Sequence, residues 1–356
     1  MQRVMELFHH FGGDDRLLYE AHAHIGSDKL PTIIRRMREC ILEHGGEIHF
    51  STCITSLSPF ALSPNSPVIL AIGHSAHDTY HMLHANGVAL ATKGFAMGVR
   101  AEHPQALINK LMYHDPSPEL IRLVGNASYS LVTQVQGRGV YSFCMCPGGH
   151  IVPAGRALNS CVVNGMSASH RNSPFANSGM VVEIRPEDLV GIVQEFRSSG
   201  VQECKLKGLA FQQYLEQLAY QHGGEPSLAP AQRMRDFVEG KASKSLPACS
   251  YLPGMVSSRL DQWLPEHIGK RLQQGFRDFD RKYRGFLTNE AVILGVESRS
   301  SSAVRLPRDP ETLQSISTPH LYPCGEGAGY AGGITSSALD GINVALKIAE
   351  QLPSTH

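Results

Sequence analysis

The sequence predicts an α/β protein: a parallel-sheet domain drawn from both ends of the chain, residues 1–94 with 305–356, around an inserted mixed β-sheet and helix domain, 95–304. Three observations lead there. An unbroken apolar run, Val68 to Ile72, ends in glycine and precedes a helix, as a strand buried on both faces of a parallel sheet does. The last segment, HLYPCGEGAGYAGGITSSALDGINVALKIAEQL, reads as strand, glycine-rich corner and helix. Between them, from about Phe95, short β-branched and aromatic runs divided by Gly, Pro and Asn replace that texture.

The elements follow in order. Ser27-Asp28 resembles a helix cap, after which Leu30, Ile33, Ile34, Met37 and Ile41 recur at helical spacing until Gly45-Gly46. EIHFSTCIT alternates Ile48, Phe50 and Ile54 on one face and predicts a strand. DTYHMLHANG predicts a helix. FAMGVRAEH, ASYSLVTQV, GVYSFCMC, SCVVNG and GMVVEI predict the strands of the inserted domain. Two amphipathic helices lie later, one through Phe211, Leu215, Leu218 and His222, the other through Ile268, Leu272, Phe276, Phe279 and Tyr283. In the terminal helix Ala338, Ile342, Ala345 and Ala349 form a thin face for close packing.

Lys plus Arg and Asp plus Glu each number 32, and no basic cluster stands out, which argues against nucleic acid and anionic membrane surfaces. No apolar run reaches the roughly 18 residues of a spanning helix. Eight cysteines without CxxC pairs in a chain of this size indicate a reducing compartment, cytoplasmic or alternatively an organelle such as a plastid.

Gly327-Ala-Gly329-Tyr-Ala-Gly332 matches the dinucleotide fingerprint in letters, but the second strand and ribose-binding acid that complete that motif do not follow. Its physical content remains. Gly325, Gly327, Gly329, Gly332 and Gly333 allow close backbone approach, and the helix start at Ile334, Thr335 and Ser336 points amides at whatever lies there. Glu326 would repel a phosphate and suits a hydroxyl. The bland alternative is a glycine-rich corner without ligand.

Other clusters stay open between two readings. Cys144-Met-Cys146 puts two thiols on one strand face, either buried structural cysteines or a redox pair. Arg100 and Glu102 share a face, as a carboxylate clamp or as a structural salt bridge. Asn164, Arg171 and Asn177 form a polar loop of similar ambiguity, and Arg299 precedes the terminal strand with Glu297 and Arg305. His22 and His24 lack the acidic partners of a metal site, and no metal is expected.

GEGAGYAGGITSSALDGINVA is similar to the closing flavin-binding segment of the uncharacterised FAD-dependent dehydrogenases, within the glutathione-reductase-like flavoprotein class. HIGSDKL, AIGHSAHDTYHML, GRGVYSFCMCPGGHIV, VVNGMSASHRN and GVESRSSSAVR resemble the same family in the same order. The resemblance implies a Rossmann-like FAD-binding sheet and FAD as cofactor, with a hydride passing between the flavin and a small-molecule substrate. It implies that Gly325, Glu326, Gly327, Gly332, Gly333, Ile334, Thr335 and Ser336 meet the flavin ring and ribityl–phosphate, and that Ile54, Gly73 and His74 lie near the adenosine half. Catalytic candidates are Arg299, Cys144, Cys146 and Arg100. Family members open with a GxGPAG-type turn that this sequence lacks, so a shortened chain is expected. The alternatives are a non-catalytic remnant acting as a binding or assembly module, and a piece that works with a separately encoded N-terminal segment.

Overall fold

The computed structural model of the chain describes residues 1–20, 23–57, 66–155, 159–189, 206–224 and 228–351. The strands are β1 (Val68–Leu70), β2 (Ala91–Thr92), β3 (Phe95–Pro104), β4 (Val132–Val135), β5 (Arg138–Cys146), β6 (His150–Pro153) and β7 (Val163–Met166). They continue with β8 (Phe175–Ile184), β9 (Ala229–Arg233), β10 (Met255–Ser257), β11 (Val292–Glu297), β12 (Val304–Arg305) and β13 (Leu321–Pro323).

The centre is a seven-stranded sheet in the order β10-β9-β11-β3-β8-β5-β4, antiparallel except for β10 beside β9. The β-branched runs of the inserted stretch form β3, β5 and β8, and β3 is buried along nearly its whole length. The two predicted amphipathic helices are Lys207–Gly223 and Glu266–Lys282. Ile268, Leu272, Phe276 and Phe279 join Met97, Val99, Val140 and Val182 in the main core. Gly275 lets the helix close on the sheet, since a Cβ there would lie 2.6 Å from Val140 Cγ1.

The predicted parallel sheet appears among the described residues only as β1 beside β13, with Val68, Ile69 and Leu70 opposite Leu321, Tyr322 and Pro323. With two strands it cannot bury β1 on both faces, and Ile69 is 43% exposed. EIHFSTCIT forms no strand: its alternation meets no strand to pair with among the described residues, and Phe50 and Ile54 are exposed. Ser27-Asp28 does not cap the next helix, Leu30–Glu43, whose N-cap is Lys29. Instead Asp28 accepts from Ser169 N at 2.7 Å and Ser169 Oγ at 2.8 Å, pinning this segment to the β7–β8 loop. That helix buries only Ile33. The terminal helix, Ile334–Gln351, buries Val344 and Ile348 against Tyr322 and Cys324 rather than the predicted alanine face.

Candidate functional site

The glycine corner follows β13 directly. Tyr330 N donates to Gly325 O (3.1 Å) and Gly329 N to Glu326 O (2.9 Å), which folds residues 325–330 back on themselves. Arg308 clamps the turn with a bidentate pair to Asp340 (3.0 and 2.6 Å), a bond to Pro323 O, and its guanidinium 3.8 Å over the Tyr330 ring. Asp340 also accepts from Gly325 N at 2.7 Å, and the guanidinium beside it holds its pKa down against the opposing effect of burial.

The glycines divide into two groups. A Cβ on Gly327 would lie 2.5 Å from Gly73 O, and one on Gly329 would lie 2.9 Å from Val304 O; Gly329 also has φ 83°. Those positions are glycine because the chain packs against itself. At Gly332 and Gly333 a Cβ would meet nothing within 4 Å. This stretch of the loop is open, side-chain-free backbone. Their amides lie 3.3 and 3.2 Å from Ser336 Oγ, so Ser336 caps the turn. Ile334, at the helix start, is 63% exposed.

Gly73 and His74 meet this loop. His74 Nδ1 lies 3.0 Å from Glu326 Oε1, both side chains about four-fifths covered. Tyr80, which sequence reasoning missed, donates to Gly327 O at 2.7 Å and so ties the helix His77–Ala85 to the corner. Ile54 is exposed, outside any regular element, and does not line the cleft described next.

A cleft of about 1160 Å³ runs from the helix Gln2–His10 to the start of the terminal helix. Ile334 and Thr335 line it together with Cys144, Met145, Cys146, Ser167 and Arg171. The two cysteines do not share a face as predicted. The register between β5 and β8 shifts between Phe143 and Cys146, and Cys144 adopts φ 46°. The bulge turns Cys144 outward and leaves Cys146 buried. Although Cys144 reaches the cleft, loss of water around its thiol pushes it up to about 11; Arg100 opposes that rise, while Glu297, Cys146 and Glu326 add to it.

Arg100 is not open to a substrate. It is fully buried and gives Nε to Asn177 Oδ1 (2.9 Å), Nη1 to Glu297 (3.3 Å) and Nη2 to Cys144 O (2.7 Å). Its partner is Glu297, not Glu102, which accepts from Ser250 N at 2.7 Å and from Ser250 Oγ. Burial pushes the Glu297 carboxyl up, opposed by the Arg100 guanidinium. Arg299 is held by Glu216 through Nε (3.0 Å) and Nη2 (2.9 Å), and neither lines the cleft. Arg171 does, and burial pulls its pKa below the ordinary value. His24 bonds Ala168 O at 3.2 Å, while His22 lies outside the described residues. No group of His, Cys, Asp and Glu suited to a metal occurs among the described residues.

Residues 94–300 match the family described as FAD-dependent protein, C-terminal domain-like. The chain belongs to that family. The family span contains Arg100, Cys144, Cys146, Arg171 and Arg299, and it ends before the glycine corner. An uncharacterized protein of Clostridium beijerinckii is 39% identical over 357 residues, covering 96% of this chain. This FAD-dependent family chain spans 64% of that relative's length. No helix among its described residues is long and apolar enough to cross a membrane.

Proposed function

We propose that this chain forms the flavin-facing part of an FAD-dependent oxidoreductase acting on a small molecule. The observation that carries the reading is the open backbone at Gly332 and Gly333, leading into Ile334 and Thr335 on the same cleft as Cys144–Cys146, in a chain of an FAD-dependent family. Bound FAD would supply hydride acceptance or donation at its ring N5.

The chain's own residues take positioning roles. The positive end of the terminal helix at Ile334–Ser336 favours an electron-rich carbonyl or phosphate. Glu326, oriented by His74, offers its free oxygen to a ribityl hydroxyl, and Gly73 allows approach toward the adenosine half. The apolar cleft wall excludes water from the reacting face. Because the Cys144 thiol is held protonated, it acts as wall rather than as nucleophile. The division into 1–94 with 305–356 and an inserted 95–304 belongs to the same proposal. It is supported by the parallel pairing of β1 with β13 and by a family span of 94–300.

A second arrangement is favoured by the exposed Ile69: polypeptide from outside this sequence adds to the open edges of β1 and β13 and completes the cofactor site. Titration with FAD, followed by visible absorbance and fluorescence quenching, tests both. Saturable binding is expected for the chain alone, or for the chain with that added polypeptide. Gly332→Val should lose about tenfold or more in affinity. Its unfolding free energy should stay within about 0.5 kcal/mol of the parent, because the new side chain meets open space. Equal binding by the variant would remove the assigned loop geometry. Absence of binding in either arrangement would sink the flavoprotein reading in favour of a non-catalytic binding module.

A further inference from the structure

Arg171 stands out for what it lacks. It lies between β7 and β8 with its backbone at φ 47°, in the left-handed region that side-chain-bearing residues seldom adopt. Three contacts impose that conformation. Asn126 Nδ2 donates to Arg171 O at 2.7 Å, and Arg171 N donates to Ala168 O at 3.1 Å. Gly148 packs so tightly that a Cβ there would lie 1.8 Å from the same carbonyl. The side chain these contacts aim into the cleft is not satisfied: its Nε is buried with no hydrogen-bond partner.

Arg100, Arg299 and Arg308 each hold a carboxylate, at 3.3, 2.9 and 2.6 Å. No ion pair forms at Arg171 among the described residues. The charges whose fields reach it are Arg16, already paired with Asp14, and the exposed Glu20, together with the Cys146 thiol. A half-buried guanidinium with a free fork is matched by a planar anion that can take two parallel bonds.

We propose that Arg171 is the anion receptor of this cleft and that its ligand is a carboxylic acid with an apolar body. Met5, Leu17, Leu18, Met145 and Met166 supply the apolar wall. Glu6 and Glu20 also line the cleft, and their field disfavours a phosphate dianion more than a carboxylate monoanion. That the acid is the substrate oxidised or reduced there rests on the flavoprotein reading; the anion site does not.

Calorimetric titration of the chain without flavin tests it, using octanoate and phenylacetate, their neutral amides, inorganic phosphate and ADP. The acids should bind saturably and the amides about tenfold more weakly or worse. Arg171→Gln should weaken the acids by about 10- to 100-fold, while Arg171→Lys, with charge but no fork, recovers part of the loss. Met166→Glu alters an exposed wall position without touching Arg171, and should weaken the acids through like charge. Thermal melts show whether each variant folds; if Arg171→Gln does not, the acid–amide comparison and Met166→Glu decide. Equal affinity for acids and amides, or acid binding unchanged in Arg171→Gln, would overturn the proposal. So would tighter Arg171-dependent binding of phosphate or ADP than of the acids, which would assign the residue to a cofactor phosphate. FAD titrated into the same samples, with and without the added polypeptide, separates the two ideas: acid binding with no FAD binding in either arrangement removes the flavoprotein reading alone, and FAD binding with no acid binding removes the anion site alone.

Discussion

Gly165→Ala tests whether the buried Arg100 network holds the cleft wall. A Cβ at residue 165 would lie 1.9 Å from Arg100 Nη2 and 2.3 Å from Asn177 Oδ1. Neither neighbour can step aside, because Arg100 is fully buried and its Nη2 is committed to Cys144 O at 2.7 Å and to Cys146 Sγ at 3.4 Å. The methyl therefore breaks the Nη2 bonds, each worth about 1.5–3 kcal/mol when the donor is charged. If the guanidinium leaves Glu297 as well, that carboxylate is stranded at 2% exposure, and breaking a buried pair costs about 3–5 kcal/mol. These are overlapping descriptions of one disruption, so the expected loss is about 3–5 kcal/mol, or roughly 5 °C in Tm. Urea melts followed by circular dichroism measure it. In an Arg100→Ala background the closest clash is gone and only Asn177 Oδ1, at 2.3 Å, remains, so adding Gly165→Ala should cost distinctly less than it does in the parent. A Gly165→Ala chain as stable as the parent, or the same loss in both backgrounds, would refute the steric argument.

Two further expectations read titration. His103 is fully buried, its Nε2 donates to Phe286 O at 2.9 Å, and burial lowers its pKa to about 4 from an ordinary 6.5. The unfolded chain therefore binds a proton more readily, so this contribution is complete above about pH 6.5 and is lost as pH falls toward 4, by about 3 kcal/mol; His103→Phe should flatten that part of the stability–pH curve, and an unchanged slope would contradict it. Cys144, pushed up to about 11 from 9.0, should carry about a hundredfold less thiolate at neutral pH than an ordinary thiol. Peptide mass spectrometry of iodoacetamide labelling should show it reacting more slowly than exposed Cys53, and faster labelling would point to an activated thiol.

What the sequence revealed depended on how far apart the deciding residues lie. β3, β5 and β8 were legible because their apolar character is local, and the strand–corner–helix at the C-terminal side was legible because its glycines and helical spacing are contiguous. The strand expected over EIHFSTCIT fails for the opposite reason: alternation describes a face, not a partner, and no strand among the described residues lies beside it. Arg100 and Glu102 do share a face, but burial requires each charge to be satisfied at short range. Their partners, Glu297 and Ser250, lie 197 and 148 residues away. The sequence leaves the glycine corner open between a ligand-directed loop and a bare strand–helix corner; Gly327 and Gly329 pack against Gly73 and Val304, while Gly332 and Gly333 face open space. Composition cannot separate those cases, because both require the absence of the same Cβ.

The bulge at Cys144 joins the two halves of the reading. Its positive φ turns the Cys144 carbonyl inward to Arg100, and the same rotation sends the thiol outward to the cleft. One backbone distortion thus satisfies a buried cation and shapes the wall of the cleft that Ile334 and Thr335 also line. The Arg100–Glu297 pair is in that sense a positioning device: fully screened from any ligand, it fixes where Cys144 and Met145 stand. Arg171, on the next loop of the same wall, has its backbone fixed just as firmly but its charge left open. A fold that neutralises one guanidinium to build a surface, and leaves the next one bare on it, has the arrangement expected of a receptor for an anion rather than of a structural core.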